Sequence, residues 1–342
     1  VRLGEGEKRP SPDLCNKARW LGNLSQEKIV LLITVTLFVT FSVSLNGFIG
    51  ANNILALLRN VAVLGILGLG MLIVVLGRGI DLSMVAIMAI SVAWTIQLVG
   101  EGTPLGLALA MGYGFALAMS CISGILVAYA EIPAIFATLA MGTFVYGFGR
   151  AHLITGTDVV YLPASFGWAS QIGQGQLWGI PIPIILAVCL AFVVFLFLRF
   201  SKHGWNTYNI GDNTPAARVT GIPVRPTMVM QYMMSGTAAY LAGLITATAV
   251  QSMNTRIVNS NMIYDVILIV VLGGVSLSGG RGNVRNVIVG TLLIGVLVNG
   301  MTIMDIQYTI QNVIKSLILL LAIISDSIIN PRDEQTGQQG DI

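Results

Sequence analysis

The run ILALLRNVAVLGILGLGMLIVVL (54–76) is followed at once by GRGIDLS (77–83). The first part carries a single charge, Arg59, among apolar residues. It exceeds the roughly 20 apolar residues that a helix needs to cross a bilayer. Its apolar residues do not alternate with polar ones, as the strands of a membrane barrel would. In lipid, only a helix or a closed barrel satisfies its own backbone, so the run reads as a membrane helix. The second part breaks it, with Gly77 and Gly79 free to turn. Asp81 then lies beside apolar neighbours, where a carboxylate at bilayer depth costs a few kcal/mol (~2.5–3.5). It must therefore face protein or water. Two roles fit: a helix-end cap, or a place on a conduction path with Arg78 as its partner.

The same pattern recurs along the chain. Apolar runs extend over Ile29–Phe48, Ile54–Leu76, Met84–Val99, Leu105–Tyr129, Pro133–Ile154, Leu177–Phe200, Thr227–Val250, Tyr264–Leu277, Val287–Ile303 and Tyr308–Ile329. They predict an all-α polytopic membrane protein of about ten transmembrane helices, several broken by glycine. Composition agrees: 55% of the 342 residues are hydrophobic and 10% are charged. A soluble domain carries about 25% charged residues and could not bury so much apolar surface. A formal net charge of +3 gives no reason to expect nucleic acid. Residues 1–28 are polar and predicted to be a cytoplasmic segment, 29–330 the transmembrane domain and 331–342 a cytoplasmic tail. The first apolar run is too long for the core of a signal peptide. The stretch 155–176 is too polar to span, and Trp168 in it fits an interfacial anchor.

Basic residues set the orientation. With a cytoplasmic N-terminus, the inner segments hold Arg78, Arg199, Lys202, Arg218, Arg225, Arg281, Arg285 and Arg332, and the outer ones Arg59, Arg150 and Arg256. This asymmetry places both termini in the cytoplasm.

An internal echo links two breaks. MLIVVLG (71–77) leads into GIDLS (79–83), and ILIVVLG (267–273) leads into GVSLS (274–278). An internal repeat of this kind is common in transporters, and here the two copies should point the same way. Gly65, Gly68, Gly70, Gly142, Gly147, Gly236, Gly243, Gly290 and Gly295 fit close helix contacts.

The segment YNIGDNTPAARVTGIP (208–223) writes a short helix between two spans. Thr214 can cap it, Pro215 fits its first position, and Gly221 and Pro223 end it. Such a helix is marginal alone. It reads either as a plain loop or as a docking knob whose small residues admit a partner closely, with Arg218 as a charged anchor. A third segment, GGVSLSGGRGN (273–283), ends a helix and allows tight backbone packing. No G-x-x-x-x-G-K-[ST] phosphate loop exists anywhere in the chain. Cys15, Cys121 and Cys189 show no metal or disulfide spacing, and His152 and His203 belong to no catalytic constellation.

Taken together, these segments resemble the ribose-type (simple-sugar) permeases of ABC importers, a group that extends to the branched-chain amino acid permeases. Gly79–Ser83 is similar to the family's GGIDLS motif. Ile132, Pro133 and Ala137–Leu139 follow its next segment. Ile210, Gly211, Asn213, Ala216–Arg218, Gly221 and Ile222 match its coupling segment. Asp265, Val270–Gly274, Gly280–Gly282, Gly290, Thr291, Asn299 and Gly300 continue the match, which covers roughly 53–330. The chain departs from the family at Arg78, which stands for the first glycine of GGIDLS, at Met84-Val85, at Asp212 and at Val219-Thr220.

The resemblance implies a homodimeric or heterodimeric permease in a bacterial cytoplasmic (inner) membrane. Cytoplasmic ABC ATPase subunits, binding ATP and Mg, would dock on Asn213, Ala216, Ala217, Arg218 and Gly221. A periplasmic or lipid-anchored sugar-binding protein would deliver a pentose, hexose or polyol. No catalytic residue, metal or cofactor is then expected in this chain. Asp81, Phe144, Tyr146, Asp265 and Asn299 are the candidates for the substrate path. Two other transport readings compete: a branched-chain amino acid ABC permease, and an ion-coupled secondary transporter using Lys315 and Asp81.

Overall fold

The computed structural model describes residues 26–154 and 156–329. Residues 1–25 of the expected N-terminal segment, and the tail 331–342, lie outside the described residues. Each expected span contains a helix: α1 Gln26–Ser44, α2 Ala51–Leu76, α3 Met84–Gly100, α4 Leu105–Ala128, α5 Ala134–Phe148, α6 Ile182–Phe200, α9 Val224–Val250, α10 Met262–Leu272, α11 Val284–Ile303 and α12 Tyr308–Ile329. Two further helices, α7 Lys202–Asp212 and α8 Thr214–Val219, lie between α6 and α9. Among the described residues, seven helices are long and apolar enough to cross a membrane; α3, α10 and the described part of α12 are shorter apolar helices. The fold is all-α and polytopic.

Helix α3 explains the centre. It is apolar on every side and buried over most of its length, as expected of a helix with no solvent face. Helices α4 and α9 pack along it, and α2, buried over its second half, packs on α9. Lipid tails are as apolar as leucine, so contact between helices rests on close packing rather than on transfer from water. Small residues permit it: Gly70 lies against Ala238 and Ser235, and Gly243 against Met88 and Val92. Gly147 is the exception among the expected packing glycines, since a side chain there would meet open space.

Most boundaries shift by a few residues, and the larger departures have local causes. Helix α6 starts at Ile182 rather than Leu177 because a small hairpin, β2 Gln176–Leu177 against β3 Ile180–Pro181, precedes it. Trp178 and Gly179, both at positive φ, turn that hairpin as a type I′ pair does. Helix α10 stops at Leu272, not Leu277, because the backbone turns at Gly273 and Gly274. Helix α7 was hidden by its polar composition and is started by Ser201, whose Oγ accepts from the Gly204 N–H at 2.9 Å. The stretch 159–170 forms β1 Val159–Tyr161 and a 3₁₀ turn that exposes Trp168. Strand β1 pairs with β4 Ser252–Asn254 and joins two distant loops.

The internal echo is structural. At the end of α2, Arg78 N–H bonds Val75 O and Gly79 N–H bonds Val74 O. At the end of α10, Gly274 N–H bonds Val271 O and Val275 N–H bonds Val270 O. Both are Schellman turns, with Arg78 (φ 68) and Gly274 (φ 98) in the left-handed position. The residues that follow repeat as well: Ser83 N–H bonds Asp81 Oδ1, and Ser278 N–H bonds Ser276 Oγ. Gly68 packs on Ile269 and Leu76 reaches Gly280, so the two helices run side by side in one direction.

Candidate functional site

The three glycine-rich segments meet at one place. Leu76 O accepts from Gly280 N–H at 3.0 Å, which ties the end of α2 to the loop 273–283. Gly211, near the end of α7, is wedged against both: a Cβ there would run into Leu76 O and Gly280 N. Only glycine fits, because backbone on each side leaves no room to give. Tyr208 Oη adds a bond to Gly282 O at 2.8 Å.

Arg78 closes the knot. Its Nε donates to Gly211 O and its Nη2 to Asp212 O, each at 2.7 Å. These carbonyls sit at the C-terminus of α7, where carbonyls lack helical partners and the helix dipole favours a cation. The suggested Arg78–Asp81 pair is not formed. Asp81 is fully buried and accepts from Ser83 N–H (3.0 Å), Ser83 Oγ (2.6 Å) and Ser235 Oγ (2.7 Å). It ties the start of α3 to α9. Arg78 prefers α7 because its left-handed backbone sends the side chain over Gly279, away from that buried turn.

Helix α8 projects from the knot. Its cap is Asn213, whose Oδ1 accepts from Ala216 N–H at 2.9 Å, and not Thr214. Thr214 Oγ1 instead donates back to Ile210 O at 2.8 Å, bonding α8 to α7. The helix ends as expected at Gly221 (φ 82), with Ile222 N–H bonded to Ala217 O. Ala216, Arg218 and Val219 are exposed, Val219 by 90%. Ala217 is not: it is buried against Ile210 and Val224. The expectation that both alanines face a partner is thus corrected, because the short helix must seat one face on the protein to be stable. Glu131 (φ 55), in the α4–α5 turn, faces Arg225 at 3.0 Å and Arg218 at 3.7 Å. All three are about half exposed, so each pair contributes little, about 0–1 kcal/mol.

A model of the family described as "Branched-chain amino acid transport system / permease component" matches residues 53–323. The chain belongs to that permease family. The ribose import permease protein of Bacillus subtilis (strain 168) is 34% identical over 290 residues, covering 85% of this chain and 89% of the relative. The ribose import permease protein of Escherichia coli (strain K12) is 28% identical over 316 residues, covering 89% and 94%. The L-arabinose transport system permease protein of the same strain is 29% identical over 307 residues, covering 89% and 92%. No solved structure matches the permease.

The candidate path residues of the permease do not converge. Asn299 and Asn53 exchange two amide hydrogen bonds of 2.9 Å, joining the end of α11 to the start of α2. Phe144 is 51% exposed on the outer side of α5 and stacks on Phe148, while Tyr146 packs against the core. Asp265 is bonded to Lys315 of α12, with Nζ 2.8 Å from each carboxylate oxygen. Sequence reading missed Asn53, Glu131 and the Asp265–Lys315 partnership. Each joins residues far apart in the chain, and no local pattern marks such a pair.

Proposed function

We propose that the permease is the membrane subunit of an ATP-driven importer, carrying a pentose, hexose or related polyol into a bacterial cell through its cytoplasmic membrane. The observation that carries this reading is helix α8. It is a capped, exposed knob whose base is locked by Arg78, Gly211 and Gly280 to the broken ends of the central helices. A knob so fastened transmits a push from a docked partner to those ends. The sugars in the names of the relatives support the substrate class.

In this reading, ATPase subunits dock on the outer face of α8, at Ala216, Arg218 and Val219, and bind ATP and Mg themselves. The chain carries no phosphate loop of its own. A second permease subunit completes the membrane portion, and a sugar-binding protein delivers substrate from outside. Both termini lie in the cytoplasm, as the basic residues suggest.

The test is reconstitution with the ATPase and binding protein. ATP-driven uptake of D-ribose or L-arabinose is expected, and uptake of L-leucine is not. The docking face is tested by Val219→Glu, which places a charge on the knob without touching its buried side. A loss of about tenfold in co-purified ATPase is expected at equal permease levels. Uptake of L-leucine with neither sugar would overturn the substrate class, and full ATPase recovery by Val219→Glu would overturn the docking face.

A further inference from the structure

Between α10 and α12 lies a cavity of about 140 Å³, where six polar side chains and the apolar Leu268 and Leu319 line otherwise apolar helices. Asp265 and Lys315 form its floor, with side chains 18% and 7% exposed. Asn261, Tyr264, Asn312 and Ser316 complete the polar wall. Lys315 stands seven residues into α12, about 10 Å along the helix axis at 1.5 Å per residue. That is bilayer depth if α12 spans, where a charged group marks function by default.

The bonding in the cavity is incomplete. The ammonium of Lys315 holds three protons and the carboxylate of Asp265 about four acceptor sites, so their mutual bonds leave both with capacity. The side-chain oxygen of Asn312 is buried and has no hydrogen-bond partner among the described residues. An unmet buried acceptor costs about 1–3 kcal/mol, which is recovered if the amide turns toward the cavity and meets a hydroxyl donor there.

We infer that this cavity is a station for the sugar on its way through the permease, an inference that rests on the importer reading above. Its lining offers both donors and acceptors, as the hydroxyls of a polyol require. The bonded Asp265–Lys315 pair is neutral overall, so a neutral ligand enters without separating it. A zwitterionic amino acid would have to pull the pair apart. Tyr264, 56% exposed at the mouth, offers a ring face to the C–H side of a sugar.

The experiment uses the reconstituted importer, with D-ribose or L-arabinose as probe and saturating loaded binding protein, and reads sugar imported per ATP hydrolysed. The variant carrying both Asn312→Ala and Ser316→Ala leaves the ion pair in place. Its ratio is expected to fall about tenfold, the equivalent of one lost hydrogen bond. Val313→Ala, an exposed residue of α12 outside the cavity lining, should keep the wild-type ratio. The charge reversal Asp265→Lys with Lys315→Asp should restore membrane levels lost in either single variant, yet leave the ratio low. A wild-type ratio in the Asn312/Ser316 variant, or in the charge reversal, would overturn the station and leave a merely structural ion pair. Failure of the wild type to import either sugar would instead strike at the importer reading, so the two failures are distinct.

Discussion

Replacing Arg78 by glycine and, separately, by alanine pits two opposing contributions against each other. Arg78 occupies a left-handed backbone position, φ 68, which costs an ordinary residue about 1–2 kcal/mol. Its guanidinium offsets this with two bonds of 2.7 Å to Gly211 O and Asp212 O. A hydrogen bond to a charged group contributes about 1.5–3 kcal/mol, and the partial exposure of Arg78 puts these at the lower end, about 3 kcal/mol for the two. Alanine loses both bonds and keeps the strain, a net cost of about 3 kcal/mol. Glycine loses the bonds but relieves the strain, a net cost of about 1–2 kcal/mol. The order of stability should therefore be Arg78, then Gly, then Ala, with Gly and Ala separated by roughly 2–4 °C. The assay is thermal unfolding of purified permease in detergent, followed by loss of the monodisperse peak. Lysine retains the charge but not the planar fork, and should fall between arginine and alanine. If alanine proves as stable as glycine, the left-handed cap is not what selects the residue here, and the reasoning fails. In the assembled importer, both variants should also weaken the response of ATP hydrolysis to loaded binding protein.

Other outcomes follow from the same geometry. Gly211→Ala drives a methyl into backbone on two sides, so folded, monodisperse permease should be nearly lost on size-exclusion chromatography. Ala217→Leu overpacks the seat formed by Ile210 and Val224 and should cost about 1–3 kcal/mol in unfolding measurements, whereas Ala216→Leu, on the exposed face, should cost little. Asn53→Ala and Asn299→Ala should each destabilise by about 1–2 kcal/mol, and a double-mutant cycle should return a coupling of about 1 kcal/mol. Glu131→Ala should shift stability by no more than about 1 kcal/mol, less still at high salt.

The helices were legible because lipid imposes one rule on every span: a long apolar run must bond its own backbone. The break after α10 was legible for a related reason, since Gly274 takes the left-handed turn that ends the helix; at the end of α2 that position falls to Arg78, which no glycine rule marks. Arg78 was misread because local sequence shows which residues are near in the chain, and Asp81 is three positions away. The actual partners lie at 211 and 212, and a backbone carbonyl leaves no trace in a sequence. Ala216 and Ala217 look alike as letters; only the seat formed by Ile210 and Val224 tells the buried one from the exposed one. Lys315 stood out as a charge inside a span, but its partner Asp265 could not be named without the packing of α10 on α12.

Because Ala217 shares its seat with Ile210 and Val224, the proposed docking knob cannot be treated as a detachable part. Anyone building chimeras, to make this permease accept the motor of a related importer, would be tempted to swap 214–219 alone. That graft would carry a foreign underside onto a socket shaped for this one. A workable exchange unit is larger. It takes 201–224 together with the residue at 78, so that the lever arrives with its own bearing and its own latch.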